Sequence, residues 1–124
     1  MNRLSTKWFH KWAKRIKLSN QSLLDSINDL EKGLSTVDLG GHLFKVRVKS
    51  ENRGKSSSYR TLIVFKAEDR AIFLYGFKKN EKSNISKNEL QYFKKLAKDL
   101  LTLDTRQLAK AISTKVLFHL EDIR

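Results

Sequence analysis

The sequence predicts an α+β domain, in which a small antiparallel β-meander carries N-terminal helices and a C-terminal helix packed on one face. Two observations support this class. Apolar residues recur at helical spacing near both ends of the chain. Between residues 42 and 77, three short runs rich in β-branched and aromatic residues favour strands. With 124 residues, we expect a single domain spanning 1–124.

Two helices are predicted before the sheet. The first has an apolar stripe and a basic opposite side: Trp8, Phe9, Trp12, Ala13 and Ile16 against Lys11, Lys14 and Arg15. We expect both tryptophans to pack this helix against the domain. Ser19 and Asn20 are candidate caps of the second helix, with Gly33 as its stop; the stripe is Leu23, Leu24, Ile27 and Leu30.

After Gly40-Gly41, strands are predicted at 42–49, 59–66 and 71–77. Alternation in the first strand puts Phe44, Val46 and Val48 on one face and Lys45, Arg47 and Lys49 on the other. Ser86 is expected to cap a long helix ending near Leu103, and Asp104 a short one ending at Ile112. The predicted order is α-α-β-β-β-α, with residues 116–120 as a candidate last strand and further edge strands possible at both termini.

The charge of the chain predicts a polyanionic partner. Lys and Arg outnumber Asp and Glu 26 to 13, for a net charge of +13 and a pI near 10.1. Nucleic acid is the first candidate and an acidic membrane the second. No apolar run approaches the roughly 20 residues of a membrane span. Cysteine is absent, which excludes disulfides and suits a cytoplasmic protein.

A basic cluster is predicted at one end of the meander. The loop 50–58 and the end of the third strand should meet there. The residues brought together are Lys49, Arg53, Lys55, Arg60, Lys78 and Lys79, with Lys45 and Arg47 on the adjoining exposed strand face. Such a cluster repels itself unless an anion binds, although lysines also protect open sheet edges.

Other chemistries are less well supported. Gly54-Lys55-Ser56 lacks the earlier glycine of a phosphate-binding P-loop, because Lys49 stands there, and a strand follows instead of a helix. The three histidines, His10, His42 and His119, are scattered without metal-ligand spacing, so no cofactor is expected. Glu81 is the only acid expected near the cluster, where it would hold Lys79 or Arg60 in place.

Several runs resemble the RelE/ParE toxin superfamily, close to its HigB branch. The resemblance spans about Lys7 to Ile112 and rests on Asp38-Leu39-Gly40-Gly41, Lys45-Val46-Arg47-Val48, Arg53-Gly54-Lys55-Ser56, Tyr59-Arg60-Thr61 and Tyr75-Gly76-Phe77-Lys78-Lys79-Asn80-Glu81. It implies a RelE-like toxin of a type II toxin–antitoxin system, neutralised by an antitoxin that is often a HigA-like helix-turn-helix protein. The toxin alone would be monomeric, and its antitoxin complex of higher order.

Many members of the superfamily cleave mRNA on the ribosome, whereas others poison DNA gyrase. For cleavage, the 2′-hydroxyl of RNA would attack the adjacent phosphate without a metal, and the protein would stabilise the added negative charge. The expected catalytic residues are Arg47, Arg60, Lys79, Lys55 and Tyr75. The expected RNA-binding residues are Lys45, Lys49, Arg53 and Lys78. The general base stays open between Tyr75, a lysine of depressed pKa and His42.

Two alternative functions stay open, and one loop departs from the usual sequence of the superfamily. A toxin of the same fold that acts on gyrase, or a non-catalytic basic RNA- or membrane-binding domain, would share the charge. The superfamily usually has Gly-Lys-Ser-Gly-Gly before the aromatic-Arg pair, where this chain has Ser57 and Ser58. Serine does not adopt positive φ as readily as glycine, so the loop is expected to differ in shape.

Overall fold

The computed structural model describes residues 1–50 and 58–122. Within these ranges the chain forms six strands and four α-helices, with one short 3-10 helix at Leu120–Asp122. In chain order the elements are β1 Asn2–Thr6, α1 Lys7–Arg15, α2 Asn20–Glu31, β2 Thr36–Gly40, β3 Leu43–Lys49, β4 Ser58–Lys66, β5 Arg70–Lys78, α3 Lys87–Leu101, α4 Thr105–Ser113 and β6 Leu117–His119. The α+β class and the RelE-like arrangement are confirmed.

The sheet is larger than the predicted meander. Its strand order is β2-β3-β4-β5-β1-β6, with β2 to β5 forming the antiparallel part. β1 is not an edge strand, because it lies parallel to β5 on one side and antiparallel to β6 on the other. β1 and β2 are short and partly polar, which explains why their sequences carry little strand signal.

The helices cover both faces of the sheet, so the prediction of one covered face is wrong. α1 and α2 pack on one face through Phe9, Trp12 and Ile27, with Phe73 of β5 beneath them. α3 and α4 pack on the opposite face, where Phe93 and other apolar residues meet the sheet. The physical reason is visible in the two central strands: Leu62, Ile63, Val64, Ala71, Ile72, Phe73 and Leu74 form continuous apolar runs, and all are buried.

Caps set the helix boundaries as the sequence predicts. Ser19, Ser86 and Asp104 accept hydrogen bonds from backbone N–H groups in the first turns of their helices. Ser86 and Asp104 also complete capping boxes with the residues three positions later. At the end of α2, Gly33 has a φ of +73°, which glycine adopts without strain.

A bulge in β5 decides which side chains face α3. The β4–β5 register pairs Ile63 with Phe73 but Leu62 with Tyr75, so one residue of β5 is unpaired between them. Phe73 therefore lies in the α1–α2 core, whereas Tyr75 packs against the α3 core. Strict alternation would place Phe73 and Tyr75 on the same face of the sheet, and it fails across the bulge.

Candidate functional site

Cationic side chains from β3 and β4 form what we call the basic face. It consists of Lys45, Arg47 and Arg60, on the side of the sheet that α3 covers only in part. Val46 and Val48 occupy the opposite, α1–α2 side, so alternation assigns Lys45 and Arg47 to this one. Arg47 and Arg60 are direct cross-strand partners. Like charges in that position are unfavourable, which suits an anion bound between them.

The basic face borders a cleft of about 430 Å³. Its described lining residues are Ser35, Thr36, Val37, Lys45, Arg47 and Arg60, and none of these carries a carboxylate. Arg60 is half-buried, and desolvation, followed by repulsion from Arg47, holds the pKa of its guanidinium below the ordinary value. Nη1 of Arg60 donates to the hydroxyl of Ser58, 3.3 Å away. The arginine is thus held at the cleft by a serine that stands where the superfamily usually has glycine.

Tyr75 borders the basic face and is held by a lysine that sequence reasoning missed. Nζ of Lys82 donates to the hydroxyl oxygen of Tyr75 at 3.2 Å and to the carboxylate of Glu89. It also lies 5.2 Å from the centre of the Tyr75 ring and 5.9 Å from that of Phe77. Because Lys82 fills an acceptor position on the oxygen, the phenol's own proton remains available for another acceptor.

Glu89 links this group to the start of α3. One carboxylate oxygen accepts the backbone N–H of the capping residue Ser86 at 2.8 Å, and the other accepts from Lys82. Asn84, between Lys82 and the helix, accepts from Nζ of Lys45 at 3.4 Å. Ser86 was expected to cap this helix, but the pairing of Glu89 with a lysine seven positions earlier was not predicted.

The predicted site residues divide between the two faces. Lys45, Arg47, Lys49 and Arg60 share one side of the sheet, as alternation and the β3–β4 register require. Lys78 pairs with Tyr59, whose ring lies in the α1–α2 core, so it belongs to the other side. Lys79 is exposed directly after β5, at the same end of the sheet. Arg53, Lys55 and Ser57 lie outside the described residues.

Two expectations about nearby acids and bases are corrected. His42 sits in the turn before β3, with Nδ1 3.2 Å from the carbonyl oxygen of Phe65. Five residues of strand separate it from Arg47, or about 16 Å, so it is no candidate base for the basic face. Glu81 was expected to be the only acid near the cluster, yet Asp25 and Asp29 of α2 line a second cleft together with Arg47 and Lys49.

The Lys82–Glu89 pair gives a prediction about pH. The hydrogen bond from Lys82 lowers the pKa of Glu89 below 4.5, and the same bond raises the pKa of Lys82 above 10.5. The stability contributed by Glu89 is therefore present above its unfolded pKa and lost as pH falls through the folded one. The contribution of Lys82 is present below its unfolded pKa and lost as pH rises through the folded one. Both contributions to stability are therefore fully present between about pH 4.5 and pH 10.5.

We expect Glu89→Gln to lower the free energy of unfolding near pH 7 by up to about 1 kcal/mol, because both side chains are partly solvated. Glutamine also completes a capping box, so the substitution keeps the cap and removes the ion pair with Lys82 together with its hydrogen bond. Urea unfolding across the acid range should show the two proteins converging as Glu89 protonates. Glu81→Gln, at an exposed glutamate nearby, is the control and should leave the curve unchanged. A difference between Glu89→Gln and the wild type that is independent of pH would contradict the assignment.

Two other kinds of site were sought in the described ranges. No three His, Asp or Glu side chains there are grouped so that they could hold a metal ion. Likewise, none of the helices in residues 1–50 and 58–122 combines the length and apolarity needed to cross a membrane.

Comparison with known proteins gives one family. Residues 1–120 match the family model described as the RelE toxin of the RelE/RelB toxin–antitoxin system. A search of curated proteins found no match. The family match therefore covers all the described residues of the basic face, the Tyr75–Lys82–Glu89 group and both layers of helices.

Proposed function

The chain belongs to the RelE family of toxins, and from that premise we propose that it is a HigB-like, ribosome-dependent mRNA endonuclease that stops translation in the cytoplasm. Toxins of this family are generally ribonucleases. The observation that carries the proposal is the cross-strand pair of Arg47 and Arg60, which line one cleft whose described lining residues include no carboxylate. Guanidinium groups suit phosphate oxygens in a bidentate geometry.

The proposed reaction uses the RNA's own nucleophile. The 2′-hydroxyl loses its proton and attacks the adjacent phosphorus, and the bond to the 5′-oxygen of the next nucleotide breaks. The products are a 2′,3′-cyclic phosphate and a free 5′-hydroxyl, and the chemistry requires no metal. Arg47 and Arg60 would stabilise the phosphorane, which carries more negative charge than the bound RNA. Lys79 and Lys55 would assist from the end of the sheet.

Tyr75 is proposed as a proton donor to the leaving 5′-oxygen. Its hydroxyl oxygen already accepts from Lys82, which directs the phenolic proton elsewhere and polarises the O–H bond. Glu89 would position Lys82 and take no direct part in the reaction. The acceptor of the 2′-hydroxyl proton is left unassigned.

The remaining lysines and one arginine are proposed to position the RNA strand. Lys45 and Lys49 share the side of Arg47 and would hold phosphates along the strand, together with Arg53. Lys78 would contact RNA or ribosome from the other side of the sheet end. Such contacts fix register and carry little sequence information.

The antitoxin partner that the family implies is proposed to be a HigA-like helix-turn-helix protein. The toxin, a single domain over residues 1–124, would be monomeric alone and part of a larger complex with its antitoxin. A net charge of +13 opposes self-association and favours an acidic partner.

Induced expression tests the proposal. Translation should stop, and mRNAs should be cut within coding frames. In a purified system the same cuts should require ribosomes and persist in excess chelator. Arg60→Ala expressed to the same level is the control. Intact transcripts together with loss of gyrase-dependent supercoiling would favour the same-fold gyrase toxin. Intact transcripts with tight RNA binding would favour a non-catalytic domain.

A further inference from the structure

A second cleft opens beside the basic face, between α2 and the end of β3. We call it the polar cleft. It encloses about 250 Å³, and its described lining residues are Ser22, Asp25, Ser26, Asp29, Ser35, Arg47, Lys49 and Ser50. Ser35 and Arg47 also line the cleft of the basic face, so the two clefts adjoin. An RNA strand bound on the basic face would therefore pass beside the polar cleft.

The two walls of the polar cleft carry opposite charges. One face of α2 supplies two buried serines and two more exposed acids at helical spacing, Ser22, Asp25, Ser26 and Asp29. The opposite wall is formed by Arg47 and Lys49, both exposed, at the end of β3. The register of β3 with β2 ends at Val46, so these two cations lie beyond it, where α2 is the neighbouring element.

The opposite charges of the polar cleft do not close on each other. None of the ion pairs in residues 1–50 and 58–122 joins the two walls. A ligand that satisfies both walls must offer an anionic group to the cations and N–H donors to the carboxylates. A nucleotide meets both conditions, with its phosphate and its base. The volume of about 250 Å³ is below the roughly 300–1,000 Å³ of pockets for drug-sized ligands, so it suits a single base.

We propose that the polar cleft binds one guanine base of the RNA, with Asp25 or Asp29 accepting hydrogen bonds from its N1–H and N2 amino groups. Arg47 and Lys49 would hold the neighbouring phosphates on the opposite wall. Among the RNA bases, guanine alone has two adjacent N–H donor groups, which match the two oxygens of one carboxylate. Bases of single-stranded RNA are recognised on such edges. The inference rests on the proposed function for its substrate and adds a base preference beside the phosphate that Arg47 holds.

Matched oligonucleotides test the base preference in equilibrium binding at low salt. The probes are short 2′-fluoro oligouridines that carry either guanosine or inosine at one central position. Inosine keeps N1–H but lacks the N2 amino group, so one carboxylate oxygen would lose its donor. The wild-type protein should bind the guanosine probe at least about 5-fold more tightly than the inosine probe. Equal binding of the two probes, or no binding of either, would overturn the proposal.

The double variant Asp25→Ala/Asp29→Ala separates base recognition from charge balance. Its preference for guanosine over inosine should fall below about 2-fold, because no carboxylate remains to accept the two N–H groups. If the acids only offset the charge of nearby cations, the variant would bind both probes more tightly and to the same extent. An unchanged ratio would therefore contradict the proposal. Alanine favours a helix interior more than aspartate does, so α2 should be retained, and circular dichroism verifies this.

Glu31→Ala is the matched control for the loss of acidic charge from α2. Glu31 is exposed at the end of the helix and does not line the polar cleft, so the ratio of the two affinities should equal that of the wild type. The 2′-fluoro probes have no 2′-hydroxyl that could attack a phosphate. Absence of cleavage on ribosomes would therefore refute the proposed reaction alone and leave the binding preference unaffected.

Discussion

Arg60→Ala is expected to slow RNA cleavage by about 10²- to 10³-fold while most of the affinity for RNA or the ribosome remains. Arg60 is half-buried at the cleft, opposite Arg47, and held by Ser58. In the proposed reaction its guanidinium would stabilise the added charge of the phosphorane. Single-turnover cleavage beside equilibrium binding measures the two effects separately, and circular dichroism verifies the fold. Arg60→Lys should restore activity only in part, since an ammonium lacks the bidentate fork.

Lys45→Ala and Lys49→Ala are the matched controls. We expect both to weaken binding broadly and to reduce the salt dependence of binding by about one unit per lost phosphate contact, with a small effect on the bound-state cleavage rate. If Arg60→Ala lost affinity and cleavage in equal proportion, the role of Arg60 would be to hold the RNA strand. The assignment to the reacting phosphate would then be wrong.

Local signals account for what the sequence predicted well. Ser19, Ser86 and Asp104 begin helices where they were expected, because a side-chain oxygen beside free N–H groups is a short-range requirement. Alternation from Phe44 to Lys49 correctly separated core valines from the basic side. These features involve residues a few positions apart, so one sequence suffices to reveal them.

Features that depend on distant pairing were missed. β1 joins the middle of the sheet through β5, about 68 residues later, and no local pattern signals that partnership. Continuous apolar runs in β4 and β5 did signal burial on both faces, yet a meander with one covered face was expected instead. The bulge that turns Tyr75 towards α3 and the Lys82–Glu89 contact behind it could be found only in the structure.

Gly76→Ala is expected to destabilise the protein by about 3 kcal/mol, the largest stability effect among the substitutions considered. A Cβ atom built on Gly76 lies 2.3 Å from Cζ3 of Trp12, far inside van der Waals contact. Trp12 is 7 % exposed and packs edge-on against Tyr59, so α1 cannot keep its position against β5 if the ring moves.

Two further variants distinguish the destabilisation caused by the clash with Trp12 from that caused by backbone strain. Gly33→Ala has open space around the added methyl group but a φ of +73°, so it should cost only about 1 kcal/mol. Trp12→Leu combined with Gly76→Ala should cost less than the sum of the two single changes. Trp12→Leu removes the ring with which the added methyl group would clash, and the methyl group fills part of the space that the ring leaves. Urea midpoints of the wild type, the two single variants at positions 12 and 76 and the double variant provide the cycle, and Gly33→Ala is measured beside them. Strict additivity would place the cost of Gly76→Ala in the strand itself, and the close approach of α1 would then have no part in requiring glycine at this position.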